Sequence, residues 1–309
     1  MCIVASRHAD LEGPVHYLDL GGGGPPLVCV HGLGGSALNW TAVGAGLAAH
    51  HHVLALDLRG FGRTPLGSAT RLGDNVRLLD LFLRQVVGRP ATLVGNSMGG
   101  LLSVWQAAEH PDTVCNLVLV DPALPWGRRG PLRAATYALF AALLAPGLGD
   151  RALFVRMRRL GPERAVNTAL RMVCTDPDRV PKDVVRAHVE LERHRLQSPR
   201  SQRAFAQAGR SLFRALARGA DFRTYGRVRA PVLILHGDGD RLVPAGNSRQ
   251  IGRLFGWQVE ILPEVGHVPM LEVPDVFVRV VLSWLGTQAC PELGNPPRTS
   301  QAGRATSAA

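Results

Sequence analysis

GNSMGG, residues 95–100, lies between the short apolar run Thr92–Val94 and an apolar helical stretch over Leu101–Glu109. A serine at a strand-to-helix reversal needs small neighbours, because the turn is sharp and forces the serine backbone into a strained conformation. The pattern alone is weak in a chain with 35 glycines, so the neighbouring elements have to support the assignment. The run before it, the helix after it and the extra Gly100 together predict that Ser97 is a nucleophile exposed at the end of a strand.

Short apolar runs of β-type residues recur on both sides of this turn, with helical segments between them. Strands that alternate with helices predict a mostly parallel sheet covered by helices on both faces, which is an α/β fold. The predicted strands are Val15–Leu20, Leu27–Val30, Val53–Leu56, Thr92–Val94, Leu117–Val120, Val232–Leu235 and Val259–Leu262.

One long segment, residues 123–225, interrupts this alternation. It shows helical stretches separated by prolines and no convincing strand. We therefore predict an all-helical cap inserted into a core that is built from residues 1–122 and 226–286. Residues 287–309 are rich in Pro, Gly, Ser and Thr, a composition that predicts a disordered C-terminal tail.

Further polar residues follow the later strands. Asp240 lies in HGDGDRLVP (236–244) and His267 lies in GHVP (266–269), each just after a predicted strand. A serine hydroxyl becomes a good nucleophile when an imidazole removes its proton, and a carboxylate must hold that imidazole in the right tautomer. We assign these roles to His267 and Asp240, with Ser97 as nucleophile. Asp121 is the alternative acid because it also follows a strand, and Asp238 is a weaker one because it resembles a turn residue.

The loop HGLGG, residues 31–35, ends an earlier strand and offers backbone N–H groups. A tetrahedral intermediate needs two such donors about 3 Å from its oxyanion. We predict that the N–H groups of Leu33 and Met98 form this oxyanion hole. His31 is expected mainly to brace the loop. The residues expected to border the substrate pocket are His31, Gly32, Asn96 and Val268.

Five sequence blocks resemble the α/β-hydrolase superfamily and occur in the family's order. They are HGLGGSALNW (31–40), DLRGFGRT (57–64), GNSMGG (95–100), HGDGDRLVP (236–244) and GHVPMLEVPD (266–275). The resemblance implies a central mostly parallel sheet, a helical lid after the strand that ends at Asp121, and neither a metal nor an organic cofactor. In the family the DLRGFGRT block is a tight structural turn. Serine at position 97 disfavours epoxide hydrolase and haloalkane dehalogenase chemistry, because those relatives use a carboxylate nucleophile.

The substrate is less clearly indicated than the fold. GHVPMLE (266–272) resembles carboxylesterases and monoacylglycerol-type lipases, so we expect hydrolysis of a carboxylic ester with an apolar, lipid-derived or shorter acyl group. GNSMGG also resembles hydrolases that cleave a carbon–carbon bond in ring-fission products, which is the alternative. Those relatives usually carry an aromatic residue after the base, where this chain has Val268. A non-catalytic binding protein on the same fold is the hypothesis from another class.

The net charge of +11 is concentrated in the predicted cap. Residues 123–225 hold nineteen arginines and one lysine against eight acids, a net +12, whereas the rest of the chain carries −1. One interpretation is that solvated helix faces display the arginines. The sharper one is a cationic surface that contacts an anionic membrane or an acidic substrate. No motif for nucleic-acid recognition accompanies the charge, so we expect no nucleic-acid partner.

Cysteine usage and apolar run lengths indicate the compartment. The five cysteines are odd in number, scattered and without CxxC spacing, which argues against a disulfide framework or a zinc site and is typical of a reducing cytoplasm. The first 25 residues contain no signal-peptide core. The longest apolar stretch, Ala134–Leu148, is shorter than the ~20 residues that span a bilayer. It is a candidate lining for an acyl pocket and equally an ordinary buried cap helix. We expect a cytoplasmic protein, with peripheral membrane association at most.

Overall fold

The computed structural model describes residues 4–67, 69–124, 155, 158–197, 200–219 and 221–288. Its strands are β1 Ala5–Asp10, β2 Pro14–Gly21, β3 Pro26–Val30, β4 His52–Leu56, β5 Ala91–Asn96, β6 Val114–Val120, β7 Val232–Gly237 and β8 Gln258–Leu262. Its α-helices are α1 Thr41–Ala48, α2 Leu72–Phe82, α3 Met98–Glu109, α4 Pro162–Val173, α5 Lys182–Arg195, α6 Arg200–Arg218, α7 Phe222–Tyr225, α8 Ala245–Phe255, α9 Pro269–Glu272 and α10 Pro274–Leu285. Short turns of other helix types occupy Ala37–Trp40, Leu83–Val87, Pro111–Thr113 and Pro177–Arg179.

The strands form one eight-stranded sheet in the order β1-β2-β4-β3-β5-β6-β7-β8. From β4 to β8 every neighbouring pair is parallel, whereas β1 with β2 and β2 with β4 are antiparallel. This is the α/β-hydrolase fold that the sequence predicts. The carboxyl ends of the parallel strands share one edge of the sheet, which is where the residues after β5, β6, β7 and β8 come together.

All seven predicted strands are present, but the first strand, β1, was not predicted. Its six residues, ASRHAD, contain none that is buried, and it lies at the edge of the sheet. An edge strand without a buried face lacks the apolar alternation on which strand prediction depends.

The hydrophobic core lies on both faces of the central strands. Residues alternate along β3 between the two sides, with Val28 and Val30 in one apolar cluster and Leu27 and Cys29 in the other. The strands β3, β5 and β6 are covered on both faces and buried at every position. Their sequences are therefore mostly apolar and do not alternate with polar residues.

Between β6 and β7 the described residues form helices and no strand. The helices α4, α5 and α6 occupy the part of the chain predicted as the cap. The apolar stretch 134–148 lies outside the described residues, and so does residue 289 onward of the predicted tail. In the described parts of the chain, no helix is long and apolar enough to cross a membrane.

The cysteines differ in one respect from the expectation of a fully reduced set. Cys115, on β6, is disulfide-bonded. Cys29 and Cys174 are free and buried. Burial in apolar surroundings raises the pKa of the Cys174 thiol to about 12 and so keeps it protonated.

Candidate active site

Ser97 stands at a sharp turn between β5 and α3. Its backbone has φ 53° and ψ −115°, a conformation that a residue with a side chain rarely adopts, and α3 begins at the next residue. The turn closes because its flanking glycines have no side chains. A Cβ on Gly95 would lie 2.6 Å from the carbonyl oxygen of Gly99, and a Cβ on Gly99 would lie 2.2 Å from that of Val30. The glycines of GNSMGG are therefore a steric requirement of the turn.

His267 and Asp240 meet at the ends of β8 and β7. The Nδ1–H of His267 donates to Oδ2 of Asp240 over 2.6 Å, and both side chains are buried. Asp240 also accepts the backbone N–H groups of Leu242 and Val243 through its other oxygen. Burial favours the neutral acid, but His267 and a second histidine hold the pKa of Asp240 well below its usual range. Asp240 is thus ionised, and it leaves Nε2 of His267 as the unprotonated ring nitrogen.

The second histidine is His236, which lies between Asp240 and the alternative acid Asp121. Its Nε2 is 3.4 Å from Asp240 Oδ2 and 3.5 Å from Asp121 Oδ1. The N–H of Gly237 donates to Asp121 over 2.9 Å, whereas the other oxygen of that carboxyl has no partner among the described residues. Burial and the negative charge of Asp240 raise the pKa of Asp121 well above its usual range, which favours the neutral form of Asp121. Of the two candidate acids, Asp240 is the one that contacts His267.

Asp238, the remaining candidate acid, accepts the backbone N–H of Glu264 over 2.7 Å and is a turn residue. The contact of His236 with Asp240 was not predicted from the sequence. The signal was present, since a histidine that ends a buried apolar strand has to find polar partners at the same edge of the sheet.

Asn96, which precedes Ser97, connects the serine turn to the histidine loop. Its Nδ2 donates to the carbonyl oxygen of His267 over 3.0 Å and to that of Val120 over 3.1 Å. Asn96 is buried, so these bonds hold the end of β5 against the loop that carries His267. That Asn96 borders the substrate pocket stays a prediction, and its amide is engaged by the backbone.

The loop of residues 31–35, called the oxyanion loop because it carries the predicted donor Leu33, is oriented by His31. This fully buried ring donates from Nδ1 to the carbonyl oxygen of Gly32 over 2.7 Å and accepts the N–H of Leu58 at Nε2 over 3.1 Å. Burial lowers the pKa of His31 to about 4, so the ring stays neutral and can play both parts. Since C=O and N–H of a trans peptide point in opposite directions, the bond to Gly32 turns the N–H of Leu33 away from His31.

The other predicted donor, Met98, is the first residue of α3. Its N–H has no acceptor one turn earlier in the helix and points out of the helix N-terminus, where anionic groups are favoured. Gly32 lies against the nucleophile, since a Cβ there would be 3.0 Å from Cβ of Ser97. Val268 follows His267 and is buried.

The helices α4 to α6, called the helical segment, contact the loop of His267 and the loop of residues 31–35. These contacts were not predicted from the sequence. The N–H of His267 donates to the carbonyl oxygen of Val173, at the end of α4, over 2.6 Å. The buried carboxylate of Glu272 accepts N–H groups from Gly266 on the histidine loop and from Thr175 and Asp176 after α4. These bonds join the end of α4 to the loop of His267.

Arg195, the last residue of α5, contacts the oxyanion loop. Its two terminal nitrogens donate to the carbonyl oxygens of Gly34 and Gly35 over 3.1 and 2.8 Å. Phe205 on α6 packs against the same loop, so that a Cβ on Gly34 would lie 3.1 Å from its ring. Among nineteen arginines in residues 123–225, the sequence offered no means to single out this one.

One group of described residues has metal-ligand atoms close together: Asp121, Asp240 and His267, all within 4.8 Å of one another. The 2.6 Å bond between His267 and Asp240 is shorter than the roughly 3.3 Å that separates two ligands of one tetrahedral zinc ion. The geometry therefore fits a shared proton better than a shared ion.

Comparison with known proteins agrees with this architecture. A family model described as the alpha/beta hydrolase fold matches residues 25–274. The chain is 27% identical over 260 residues to Lipase 1 of Psychrobacter immobilis, covering 82% of this chain and 74% of the lipase. It is 26% identical over 298 residues to a 2-hydroxy-6-oxononadienedioate/2-hydroxy-6-oxononatrienedioate hydrolase of Cupriavidus pinatubonensis, covering 92% and 94%. The crystal structure of a membrane phospholipase A superimposes with a TM-score of 0.70 at 26% identity, covering 92% of this chain and 86% of that one. The chain belongs to the α/β-hydrolase family.

Proposed function

We propose that this α/β-hydrolase cleaves a carboxylic ester through an acyl-enzyme on Ser97. The observation that carries the proposal is the buried 2.6 Å hydrogen bond between His267 and an ionised Asp240, at the same sheet edge as the strained Ser97. Burying a charge costs free energy unless the charge is paired. Here the carboxylate of Asp240 is paired with His267 and holds its ring in the tautomer that can accept a proton.

In this mechanism Nε2 of His267 removes the proton of Ser97 as the hydroxyl oxygen attacks the ester carbonyl. The N–H groups of Leu33 and Met98 stabilise the oxyanion of the tetrahedral intermediate. Collapse of the intermediate passes the proton from His267 to the departing alcohol. Water then attacks the acyl-enzyme, with His267 again as base, and releases the carboxylic acid.

The proposed substrate is an ester with a small or medium apolar acyl group, lipid-derived or not. The lipase of P. immobilis and the phospholipase structure support this class. Cleavage of a carbon–carbon bond in a vinylogous diketone acid is the second candidate, which the C. pinatubonensis hydrolase favours. In that case a cationic group would have to hold the substrate carboxylate. Arg195 is already engaged by two backbone carbonyls, which speaks against it in that role.

A fluorophosphonate probe tests the nucleophile directly. We expect peptide mapping to locate the label on Ser97 at neutral pH, and the Ser97→Ala variant to lose it from that peptide. A parent protein without label on Ser97 would contradict the hydrolase mechanism and favour a binding protein on the same fold. A series of p-nitrophenyl esters of rising chain length then defines the acyl group. Turnover of a 2-hydroxy-6-oxo-dienoate instead of any ester would select the carbon–carbon hydrolase.

We also propose that the helical segment makes peripheral contact with an anionic membrane. Exposed arginines occur on each of its helices, including Arg164 and Arg171 on α4, Arg186 on α5, and Arg203 and Arg214 on α6. The contact should be strongest at low salt with vesicles that contain anionic lipid. At 0.1 M salt, attraction between exposed charges more than about 10 Å apart is largely screened. Equal co-sedimentation with neutral and anionic vesicles would contradict it.

A further inference from the structure

A second Ser–His–Asp array lies on the opposite, antiparallel side of the sheet. The Oγ of Ser6 on β1 is 2.8 Å from Nε2 of His16 on β2. The Nδ1 of His16 is 2.6 Å from Oδ2 of Asp57, which follows β4. His16 and Asp57 are buried, whereas Ser6 is exposed at the edge of the sheet. The order of contacts, from hydroxyl to imidazole to carboxylate, matches that of a serine nucleophile with its base and acid.

The proton positions follow from Asp57. Its carboxylate also accepts the backbone N–H groups of Ala37 over 2.7 Å and Arg63 over 2.9 Å. Burial would raise the pKa of Asp57, but these bonds and the one from His16 hold it below its usual range. The ionised carboxylate requires a hydrogen on Nδ1 of His16. In the neutral ring Nε2 is then the acceptor, and Ser6 donates its hydroxyl hydrogen to it.

The array opens into a cavity of about 180 Å³, which is somewhat larger than a cavity that admits benzene. Its apolar walls include Leu18 of β2 and Leu38, and Leu191 of α5 closes it from the helical segment. Two polar side chains line the same cavity. The hydroxyl of Ser36 is buried and has no hydrogen-bond partner in the described structure, and Arg63 has no ion-pair partner among the described residues.

A buried hydroxyl without a partner costs free energy, and it is found where a ligand or a solvent molecule satisfies it. Hydroxyl and guanidinium groups are also the side chains that stabilise an oxyanion when backbone N–H groups do not. The cavity therefore combines a hydroxyl on a basic ring, donors for a developing negative charge, and an apolar wall for a short acyl or aryl group.

We propose that Ser6, with His16 and Asp57, is a second nucleophilic serine that accepts short acyl groups from activated esters, independently of Ser97. The Ser6 oxygen forms a bond to the acyl carbon while the carbon–oxygen bond of the ester breaks. The hydroxyl proton passes to Nε2 of His16 and from there to the departing oxygen, which leaves as an alcohol or phenol. The product is an ester of Ser6, which water cleaves to the carboxylic acid by the reverse proton path.

The test uses the full-length Ser97→Ala variant, so that the first nucleophile is absent. The protein is treated with p-nitrophenyl acetate or a small fluorophosphonate, in which the phosphorus–fluorine bond breaks, and the labelled peptide is mapped by mass spectrometry. The internal reference is Ser283, an exposed serine on α10. Because general-base assistance contributes about 10²–10⁴ in rate, Ser6 should react at least about 100-fold faster than Ser283.

Two variants test whether the base is responsible. Ser6→Ala in the Ser97→Ala background should abolish the fast labelling of the protein. Ser283→Ala in that background should leave the fast labelling unchanged. His16→Gln, made with Ser97 intact, should lose the label on Ser6, and a urea-unfolding curve like that of the parent reports that the variant is folded. Equal reactivity of Ser6 and Ser283, or label on Ser6 that survives His16→Gln, would overturn the proposal. Neither result bears on whether Ser97 is the nucleophile of the proposed ester hydrolase.

Discussion

Replacing Asp240 by asparagine separates the two acids that the sequence left open. The substitution removes the carboxylate whose Oδ2 lies 2.6 Å from Nδ1 of His267 and presents either an amide donor or a neutral carbonyl. In a serine protease the same change at the buried aspartate lowers kcat about 10⁴-fold, which corresponds to about 5.5 kcal/mol. That figure is the upper limit of the expected loss here.

Asp121 reduces this loss in a way that depends on pH. It lies within 4.8 Å of His267, and the charge of Asp240 contributes to its raised pKa. Without that charge Asp121 ionises at lower pH. A unit charge at 4.8 Å stabilises an imidazolium by about 3.5 kcal/mol at an effective dielectric constant of 20. The loss in Asp240→Asn should therefore shrink, as the pH rises, from about 10⁴-fold while Asp121 is neutral toward about 30-fold once it is ionised.

The assay is kcat for a p-nitrophenyl ester from pH 6 to pH 9, expressed at each pH as the ratio of parent to variant. Asp121→Asn alone should cost less than about tenfold, because the neutral Asp121 supplies no charge in the parent. The double variant Asp121→Asn/Asp240→Asn should lose the pH-dependent recovery. A loss in Asp121→Asn as large as that in Asp240→Asn would refute the assignment of the acid.

Four further outcomes are expected. Gly99→Ala should destabilise the protein by about 1–3 kcal/mol in urea unfolding, since its Cβ would lie 2.2 Å from a backbone oxygen. Gly73→Ala, also at the second position of a helix but with nothing within 4 Å, should stabilise it by about 0.5–1 kcal/mol. The pKa of His31 is about 4 in the folded protein, whereas a histidine in the unfolded chain is protonated below about pH 6.5. The free energy of unfolding should therefore fall by about 3 kcal/mol between pH 6.5 and 4. His31→Gln should flatten that part of a urea-unfolding pH series. Arg195→Ala should lower kcat about 10–100-fold with KM little changed, and Arg195→Lys should not restore it, because one ammonium cannot reproduce the fork to two carbonyls; a change in KM alone would contradict a positioning role.

Much of the fold and the main candidate residues were accessible from the sequence. Each of the seven predicted strands buries part of its length, β8 only at Leu262, and each carries a periodic or continuous apolar run. The candidate triad could be predicted because each member follows such a strand, and the carboxyl ends of parallel strands lie at one edge of the sheet. The edge strand β1 escaped because its ASRHAD residues are not buried. The array of Ser6, His16 and Asp57 escaped for two reasons: Ser6 lies on the unpredicted strand β1, and the buried His16 and Asp57 belong to no motif that pairs a histidine with an acid.

What the sequence determined alone are the properties that local spacing carries. The glycines around Ser97 specify the turn, because a Cβ on Gly95 or on Gly99 would overlap a backbone oxygen. Tertiary structure decided that Asp240 touches His267, that Arg195 reaches the loop of residues 31–35, and that Ser6 contacts His16. Those contacts join residues 27, 160 and 10 positions apart. They depend on how strands are ordered in the sheet and how helices pack over it, and no spacing along the chain encodes such distances.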